Sequence, residues 1–492
     1  MVEHLPVLLV VTPLIAAPLC VLLRRREAAL GLTVTVNWAV LAMAVELLRR
    51  VLRDGTILYE LGGWSAPWGI EYRVDALSAF VLVLVSFIGA MVISYAPASL
   101  AREIPKDRHY LFCTLYLLCV TGLLGITITG DLFNLFVFLE ISSLSSYALI
   151  SMGASRRAHR AAFQYLILGT IGATFILIGI GLMYQMTGTL NMADMADRLS
   201  GMTDLRTVRV AFAFLSVGIC LKMALFPLHL WLPDAYTYAP SVVTAFLAAT
   251  ATKVSVYILL RFVYSVYGTT WAFEAEGFDS ILLLMALGAM FMASTVAILQ
   301  SDVKRMLAYS SVAQIGYIVL GISFASETGL TAGIVHLFNH GLTKAGLFLA
   351  MGCIALQLGS VRLEDMRGIG RKMPWTMAAW VVGGLSLIGV PGTVGFISKW
   401  YLVSAAFERG SWLIAVLVLL SSLLALVYVW RVVETAYFHK PPEGVPQVTE
   451  ARPSLLIPVW LLIGATVLFG LWTPLTAGVA RFAAQALLES GP

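Results

Sequence analysis

Apolar runs of about twenty residues recur from Val7 to Leu471, separated by short polar interruptions. At about 1.5 Å of rise per residue, each such run is long enough for a helix to cross a bilayer core of about 30 Å. The pattern predicts about fourteen membrane spans, near 5–23, 29–48, 76–97, 110–129, 132–152, 163–185, 210–232, 240–264, 279–299, 306–324, 330–357, 375–402, 412–436 and 455–475. The expected fold class is therefore an all-α polytopic membrane protein.

The seventh and twelfth runs differ from the rest. The seventh contains Phe226-Pro227 and continues as HLWLPDAYTYAP, and the twelfth contains Pro391, Gly392 and Gly395. Proline inside a helix removes a backbone hydrogen bond, so both helices are expected to break. Irregular backbone at membrane depth is tolerated where protein or a polar cavity surrounds it, and paired broken helices point to a transport site. The two prolines, Pro227 and Pro391, are 164 residues apart. That spacing fits two inverted five-helix repeats, helices 4–8 in 110–265 and helices 9–13 in 278–438. The helices of 1–109 precede them, and one helix with a tail, 439–492, follows.

Composition narrows the class further. The 492 residues are 60% hydrophobic and 12% charged, which excludes an ordinary soluble domain at about 25% charged. The net charge of +5 is spread over short loops without a basic and aromatic cluster, so no nucleic-acid partner is expected. Cys20, Cys113, Cys119, Cys220 and Cys353 all fall in apolar runs without a CxxC pair, as small buried hydrophobes do. Arg24, Arg25 and Arg26 follow the first span, the reverse of a cleavable signal peptide. Basic loops accumulate on the side reached after the first span, so that side is expected to be cytoplasmic and both termini outside.

The two long basic residue types are distributed differently. All 24 arginines lie in loops or near span ends, whereas four of eight lysines, Lys222, Lys253, Lys344 and Lys399, sit inside apolar spans. A desolvated lysine can release its proton; an arginine in a protein does not. A charged lysine at a helix centre costs roughly 2.5–3.5 kcal/mol, so partners, internal water or deprotonation must compensate. The structural alternative is that these lysines tether helices by bonding carbonyls freed at Pro227 and Pro391. Glu140 is the one acid well inside a span, about 13.5 Å beyond Asp131. Ser142, Ser143, Ser145 and Ser146 follow it and could bond its carboxylate or hold water, and a fixed ion pair with a lysine is the alternative.

In HLFNHGLTKAGLFLAMG, His336, His340 and Lys344 fall at i, i+4 and i+8 on one helix face, a pattern suited to a proton relay. HxxxH is also a zinc spacing, but Leu337 stands where a metalloprotease helix has Glu, so no metal is expected; core histidine is the other alternative. No GxxxxGK[ST] phosphate loop occurs, so uphill transport would rely on an ion gradient or partner subunits. No cofactor is expected.

The segments KMALFPLHLWLPDAYTYAPSVVTAFLAATATK (222–253), SDVKRMLAYSSVAQIGYIVLG (301–321), HLFNHGLTKAGLFLAMG (336–352) and GVPGTVGFISKW (389–400) resemble the antiporter-type subunits shared by respiratory complex I, membrane-bound hydrogenases and Mrp cation/proton antiporters. Within that family GDLFNLFVFLE (130–140) is most similar to the D subunit of Mrp complexes. The resemblance implies a subunit of a multisubunit sodium/proton exchanger in the bacterial cytoplasmic membrane, with other membrane subunits, protons, sodium ions and the lipid bilayer as partners. It also implies a fifth-helix glutamate at Glu140, its lysine partner at Lys222, a central lysine at Lys253, an eleventh-helix group at His336, His340 or Lys344, and a terminal lysine at Lys399. With Pro492 shortly after the last predicted span, the long lateral helix of the largest complex I subunit is not expected here.

The expected function is proton translocation within a cation/proton antiporter, a secondary transporter and not an enzyme. Its nearest rival is the equivalent subunit of a quinone reductase or hydrogenase. A metal-dependent intramembrane hydrolase using HxxxH, and a scaffold with purely structural charges, are the readings of other classes.

Overall fold

A computed structural model of the chain describes residues 3–441 and 448–489. Residues 1–2, 442–447 and 490–492 fall outside that set, and with them part of the expected unit 439–492 and both chain ends.

The helices in chain order begin with α1 (Leu5–Leu23) and α2 (Arg26–Asp54), followed by a hairpin of β1 (Ile57–Glu60) and β2 (Glu71–Val74) with Ile57 opposite Val74. Then come α3 (Ala76–Glu103), α4 (His109–Ile128), α5 (Leu132–Ser151), α6 (Arg156–Thr187), α7 (Met192–Leu199), α8 (Arg206–Lys222), α9 (Leu232–Tyr238) and α10 (Ser241–Leu260). The second half holds α11 (Phe278–Gly288), α12 (Ser294–Ile298), α13 (Val303–Ser323), α14 (Glu327–Leu358), α15 (Pro374–Ile388), α16 (Val394–Glu408), α17 (Trp412–Phe438), α18 (Pro453–Leu471) and α19 (Val479–Glu489). Short π-helical turns extend α10 at Arg261–Val266 and join α11 to α12 at Ala289–Ala293.

Among the described residues, 12 helical stretches are long and apolar enough to cross a membrane. The two remaining crossings are the broken ones. In the seventh, α8 stops at Lys222 and irregular backbone through Pro227 leads to α9; in the twelfth, α15 stops at Ile388 and α16 resumes at Val394. A helix that ends inside the bundle leaves carbonyls without intrahelical partners. At the first break the Trp231 indole N–H donates to the Leu221 carbonyl at 3.0 Å. At the second, the Lys399 ammonium donates to the carbonyls of Leu387 and Ile388, each at 2.9 Å.

α3, α10, α13 and α14 are predominantly apolar and buried along most of their length, so they form the centre; α1, α2, α6, α17 and α18 present apolar outer faces at the periphery. Successive crossings alternate in direction, so their connections fall on two sides. The hairpin, α7 and α19 share one of these, termed here the hairpin side, where Gly130 N donates to the Glu71 carbonyl at 2.9 Å.

Two matching turns lie on opposite sides, as an inverted repeat would place them. On the hairpin side Asp131 N-caps α5 and pairs with Asn191 beyond α6; on the other side Asp302 N-caps α13 and pairs with Arg362 beyond α14. Leu132 N bonds Leu190 O at 2.9 Å, and Val303 N bonds Val361 O at 2.9 Å. α6 and α14 are both 32 residues long, N-capped by Ser155 and Ser326 and ended by Gly188 and Gly359 at φ 69 and 70, a left-handed C-cap that glycine adopts without steric cost. Each second-half position follows its counterpart by 171 residues, as Asp302 follows Asp131. The break prolines, 164 residues apart, depart from this period, and the first residues of α10 and α17, Ser241 and Trp412, return to it.

Candidate functional site

Asp131 caps α5 by accepting from Asn134 N at 2.7 Å, and Glu140 sits nine residues further into the same helix. Lys222, the last residue of α8 before its break, brings Nζ to 3.6 Å from Glu140 Oε1 and donates to Ser143 Oγ at 2.9 Å. The anticipated serine cradle for the carboxylate is not formed. Ser142, Ser145 and Ser146 donate to the carbonyls of Leu139, Ile141 and Ser142 within their own helix, and Ser143 serves the lysine. A cavity of about 20 Å³, enough for one water, lies against Lys222 and is lined by Ser143, Ser146, Tyr165 and Ser255.

Lys253 lies at the middle of α10 and is fully buried. Its ammonium donates to Ala248 O at 2.5 Å and Thr252 Oγ1 at 3.3 Å. Of the four mid-span lysines, Lys222 alone is ion-paired among the described residues.

α14 carries His336, His340 and Lys344 along one buried face. His336 bridges two other helices: Nδ1 contacts Ser398 Oγ of α16 at 2.7 Å and Nε2 contacts Gln314 Oε1 of α13 at 2.8 Å. With the glutamine oxygen accepting, Nε2 is the donor of that bond. The His340 ring lies nearly parallel to it, 6.2 Å between centroids, and both its nitrogens are buried without a partner among the described residues. Lys344 donates to Leu307 O at 2.8 Å and to Ser310 Oγ. Among the described residues no group of three His, Cys, Asp or Glu side chains is placed to hold a metal ion.

Lys399 follows Ser398 on α16, so the histidine face and the terminal lysine meet. Besides its two carbonyls it donates to Ser422 Oγ at 2.9 Å, and its Nζ stands 4.6 Å from the centre of the Tyr317 ring, which is itself 5.5 Å from His336. The tethering role weighed for the buried lysines thus describes the geometry of Lys399.

Several polar groups of this region were not among the residues singled out from sequence. Ser310, Gln314 and Tyr317 fall at i, i+4 and i+7 of α13 and face the α14 stripe, a periodicity that was available in YSSVAQIGY. Lys304, which the predicted spans leave in a loop, is a further buried lysine, donating to Ala239 O at 2.9 Å. It occupies the first turn of α13, where a span end and a loop look alike in sequence.

A family profile described as NADH:quinone oxidoreductase/Mrp antiporter, transmembrane, matches residues 129–425, which contain every residue discussed above. The chain is 44% identical over 489 residues to the N subunit of the NADH-quinone oxidoreductase of Desulforudis audaxviator, covering 96% of each. It is 30% identical over 431 residues to the D subunit of the Na(+)/H(+) antiporter of Alkalihalophilus pseudofirmus, covering 87% of this chain and 86% of that one. Its fold superposes on a chain of the Mrp complex from a Dietzia species with a TM-score of 0.91 at 27% identity, over 99% of this chain and 98% of the other. A polytopic α-helical bundle with two broken crossings, a mid-span Glu140–Lys222 pair and matches of this extent place the chain in the NADH:quinone oxidoreductase/Mrp antiporter transmembrane family.

Proposed function

We propose that this chain is a proton-translocating subunit of a multisubunit cation/proton antiporter. The observation that carries this reading is the run of buried ionisable side chains through the middle of the bundle, from Glu140–Lys222 through Lys253 and the α14 face to Lys399. Buried ionisable groups inside membrane spans are costly, and proton relays are among the functions that retain them. Glu140 and Lys222 act as the charge pair that gates the first half, 110–265. Lys253 passes protons along the midplane, and His336, His340, Lys344 and Lys399 complete the second half, 278–438. The small cavity at Lys222 is walled by the α10 face of Ala251, Val254, Ser255 and Ile258, so one water there sits between the pair and the helix that carries Lys253.

Glu140 is 26% exposed on the side of the isolated chain although it lies at mid-membrane. A carboxylate facing lipid at that depth is costly, which supports a second membrane subunit covering this face. The relatives named as antiporter subunits support sodium as the exchanged cation, and the excess of basic loops opposite the hairpin supports the hairpin side as the outside of a bacterial cytoplasmic membrane.

The 44% identity to a quinone oxidoreductase subunit favours a second reading, in which redox partners drive the same proton machinery. Membrane vesicles separate the two. Sodium-dependent proton movement without an electron donor identifies the antiporter, and proton movement only with a donor and quinone identifies the redox complex. Proton movement under neither condition would remove both.

A further inference from the structure

A cavity of about 180 Å³ opens on the hairpin side, between the hairpin, the end of α4, α7 and the end of α10, with α19 forming one wall through Ala483 and Leu487. At its floor Arg261 donates to Asp75 Oδ1 at 2.5 Å and, through Nε, to Tyr257 Oη at 2.9 Å; Tyr257 in turn donates to the Thr127 carbonyl at 2.8 Å. The ion pair is 9% exposed on the arginine and 16% on the aspartate. Ser265 Oγ, also lining the cavity, is buried without a partner among the described residues. Lys253, Tyr257 and Arg261 recur every fourth residue, so one face of α10 leads from the central lysine to this cavity over about 12 Å.

We propose that the cavity is the hairpin-side mouth of a water route to Lys253 and that the Asp75–Arg261 pair is its gate. The inference rests on the proton-translocation reading above. Arginine does not release its proton in a protein, so Arg261 is a fixed charge and not a carrier. Its planar fork holds Asp75 and Tyr257 together. In that arrangement the tyrosine proton is committed to Thr127 and its oxygen to Arg261, which leaves the hydroxyl unavailable to cavity water. Release of Asp75 frees the guanidinium to turn toward the cavity, and the Tyr257 hydroxyl then meets water on the Lys253 face. The π-helical turn that begins at Arg261 supplies the local irregularity for such a movement.

Asp75 also N-caps α3, accepting from Ser78 N at 3.0 Å. Asparagine caps as well as aspartate but carries no charge, so Asp75→Asn removes the ion pair and spares the cap.

The test reads water access and not transport. The five native cysteines are buried, so reporters Ala193→Cys, at the exposed rim of the cavity, and Thr127→Cys, at the buried residue whose carbonyl accepts from Tyr257, can be introduced into the complex in membrane vesicles. A membrane-impermeant maleimide is applied from each side in turn. Ala193→Cys is expected to react from the hairpin side alone, while Thr127→Cys is protected. Adding Asp75→Asn or Arg261→Lys is expected to raise the Thr127→Cys rate by about tenfold or more, as a minor open state becomes the major one. Arg261→Lys keeps the charge but lacks the fork, and it carries the gate measurement should Asp75→Asn fail to assemble. A silent Ala193→Cys overturns the mouth, and a Thr127→Cys rate indifferent to both variants overturns the gate. Either result, found together with normal proton exchange, leaves the proton-translocation reading standing.

Discussion

Glu140 and Lys222 approach to 3.6 Å across α5 and α8 with unequal burial, the carboxylate 26% exposed and the ammonium 4%. The lysine is the last residue of α8, whose final carbonyls are taken by backbone N–H groups of the break and by Trp231, and it holds a second acceptor in Ser143. The carboxylate has fewer partners: Oε1 is buried without a hydrogen bond among the described residues. Lys222 is therefore solvated from within the chain, while Glu140 depends on the lysine and on whatever covers its outer side. Such a pair is asymmetric, and the glutamate is the member free to swing.

Replacing Glu140 by Gln or Ala is accordingly expected to abolish proton exchange at normal levels of assembled protein, with Glu140→Asp milder. Two unit charges at this distance interact by about 4–5 kcal/mol at an effective dielectric near 20, and removing one leaves Lys222 buried and uncompensated. Vesicle exchange by Glu140→Gln at the wild-type rate would remove Glu140 from the mechanism.

The crossings were legible because lipid enforces long apolar helices, and both breaks because Pro391 stands among Gly389, Gly392 and Gly395 and Pro227 leads into the polar run HLWLPDAYTYAP, whereas Pro13, Pro18, Pro97 and Pro458 lie within continuous helices. The elements missed, the hairpin, α7 and α19, lie at the membrane surface, where mixed polarity reads as loop. The mid-span lysines and Glu140 were conspicuous by charge alone. Their partners were not: Asp75 and Arg261 are 186 residues apart, and an arginine near a span end is indistinguishable in sequence from one reaching for water. The 171-residue period was hidden because its identical members, Asp131 and Asp302, Ser155 and Ser326, Gly188 and Gly359, are isolated caps, and the segments between them differ, as DLFNLFVFLE does from DVKRMLAYSS.

The lysines divide into two kinds by their bonds. Arginine at Lys222, Lys253 or Lys399 is expected to impair transport nearly as much as alanine, since it keeps the charge and loses the exchangeable proton. Lys399 differs in also satisfying two carbonyls at the α15 break. Lys399→Met should therefore lower the thermal midpoint of the purified complex as well, each unsatisfied buried acceptor costing about 1–3 kcal/mol. Lys253→Met, whose ammonium serves its own helix, should lose transport with little change in the midpoint. Full transport by all three arginine variants would assign these lysines to fixed pairing.

The matching caps make a stability prediction. Asp131→Ala and Asp302→Ala should each destabilise by about 1 kcal/mol, the usual cost of a lost N-cap, and by similar amounts. Burial pushes both carboxyls up from their ordinary values, so the charged form is disfavoured in the folded chain. Stability contributed by the protonated form is then complete below the unfolded value of about 3.9 and is lost as pH rises through the raised folded value. Asn, which caps without charge, should match wild type at low pH and gain on it as pH rises across that window. Unfolding midpoints of the Asn variants that fall relative to wild type with rising pH would contradict this.

The α14 face yields the last prediction. His336 is already committed at both ring nitrogens, to Ser398 and Gln314, so zinc bound by His336 and His340 would have to break a contact of 2.7 or 2.8 Å that joins α14 to α16 or α13. His340, with both nitrogens buried and unpartnered among the described residues, is the natural position for a transient proton or water between His336 and Lys344. Successive members of the face are about 6 Å apart along the axis, longer than one hydrogen bond, so conduction there needs a bridging water. His340→Ala and Lys344→Ala are therefore expected to reduce exchange, and chelators to leave the wild type unaffected. Gln314→Leu should impair exchange too, because without its acceptor the His336 ring loses the contact that fixes its protonated nitrogen. Exchange activity and metal content of the purified complex, measured before and after chelation, check this together. Stoichiometric zinc that leaves with activity would overturn the relay and return the HxxxH pair to metal chemistry.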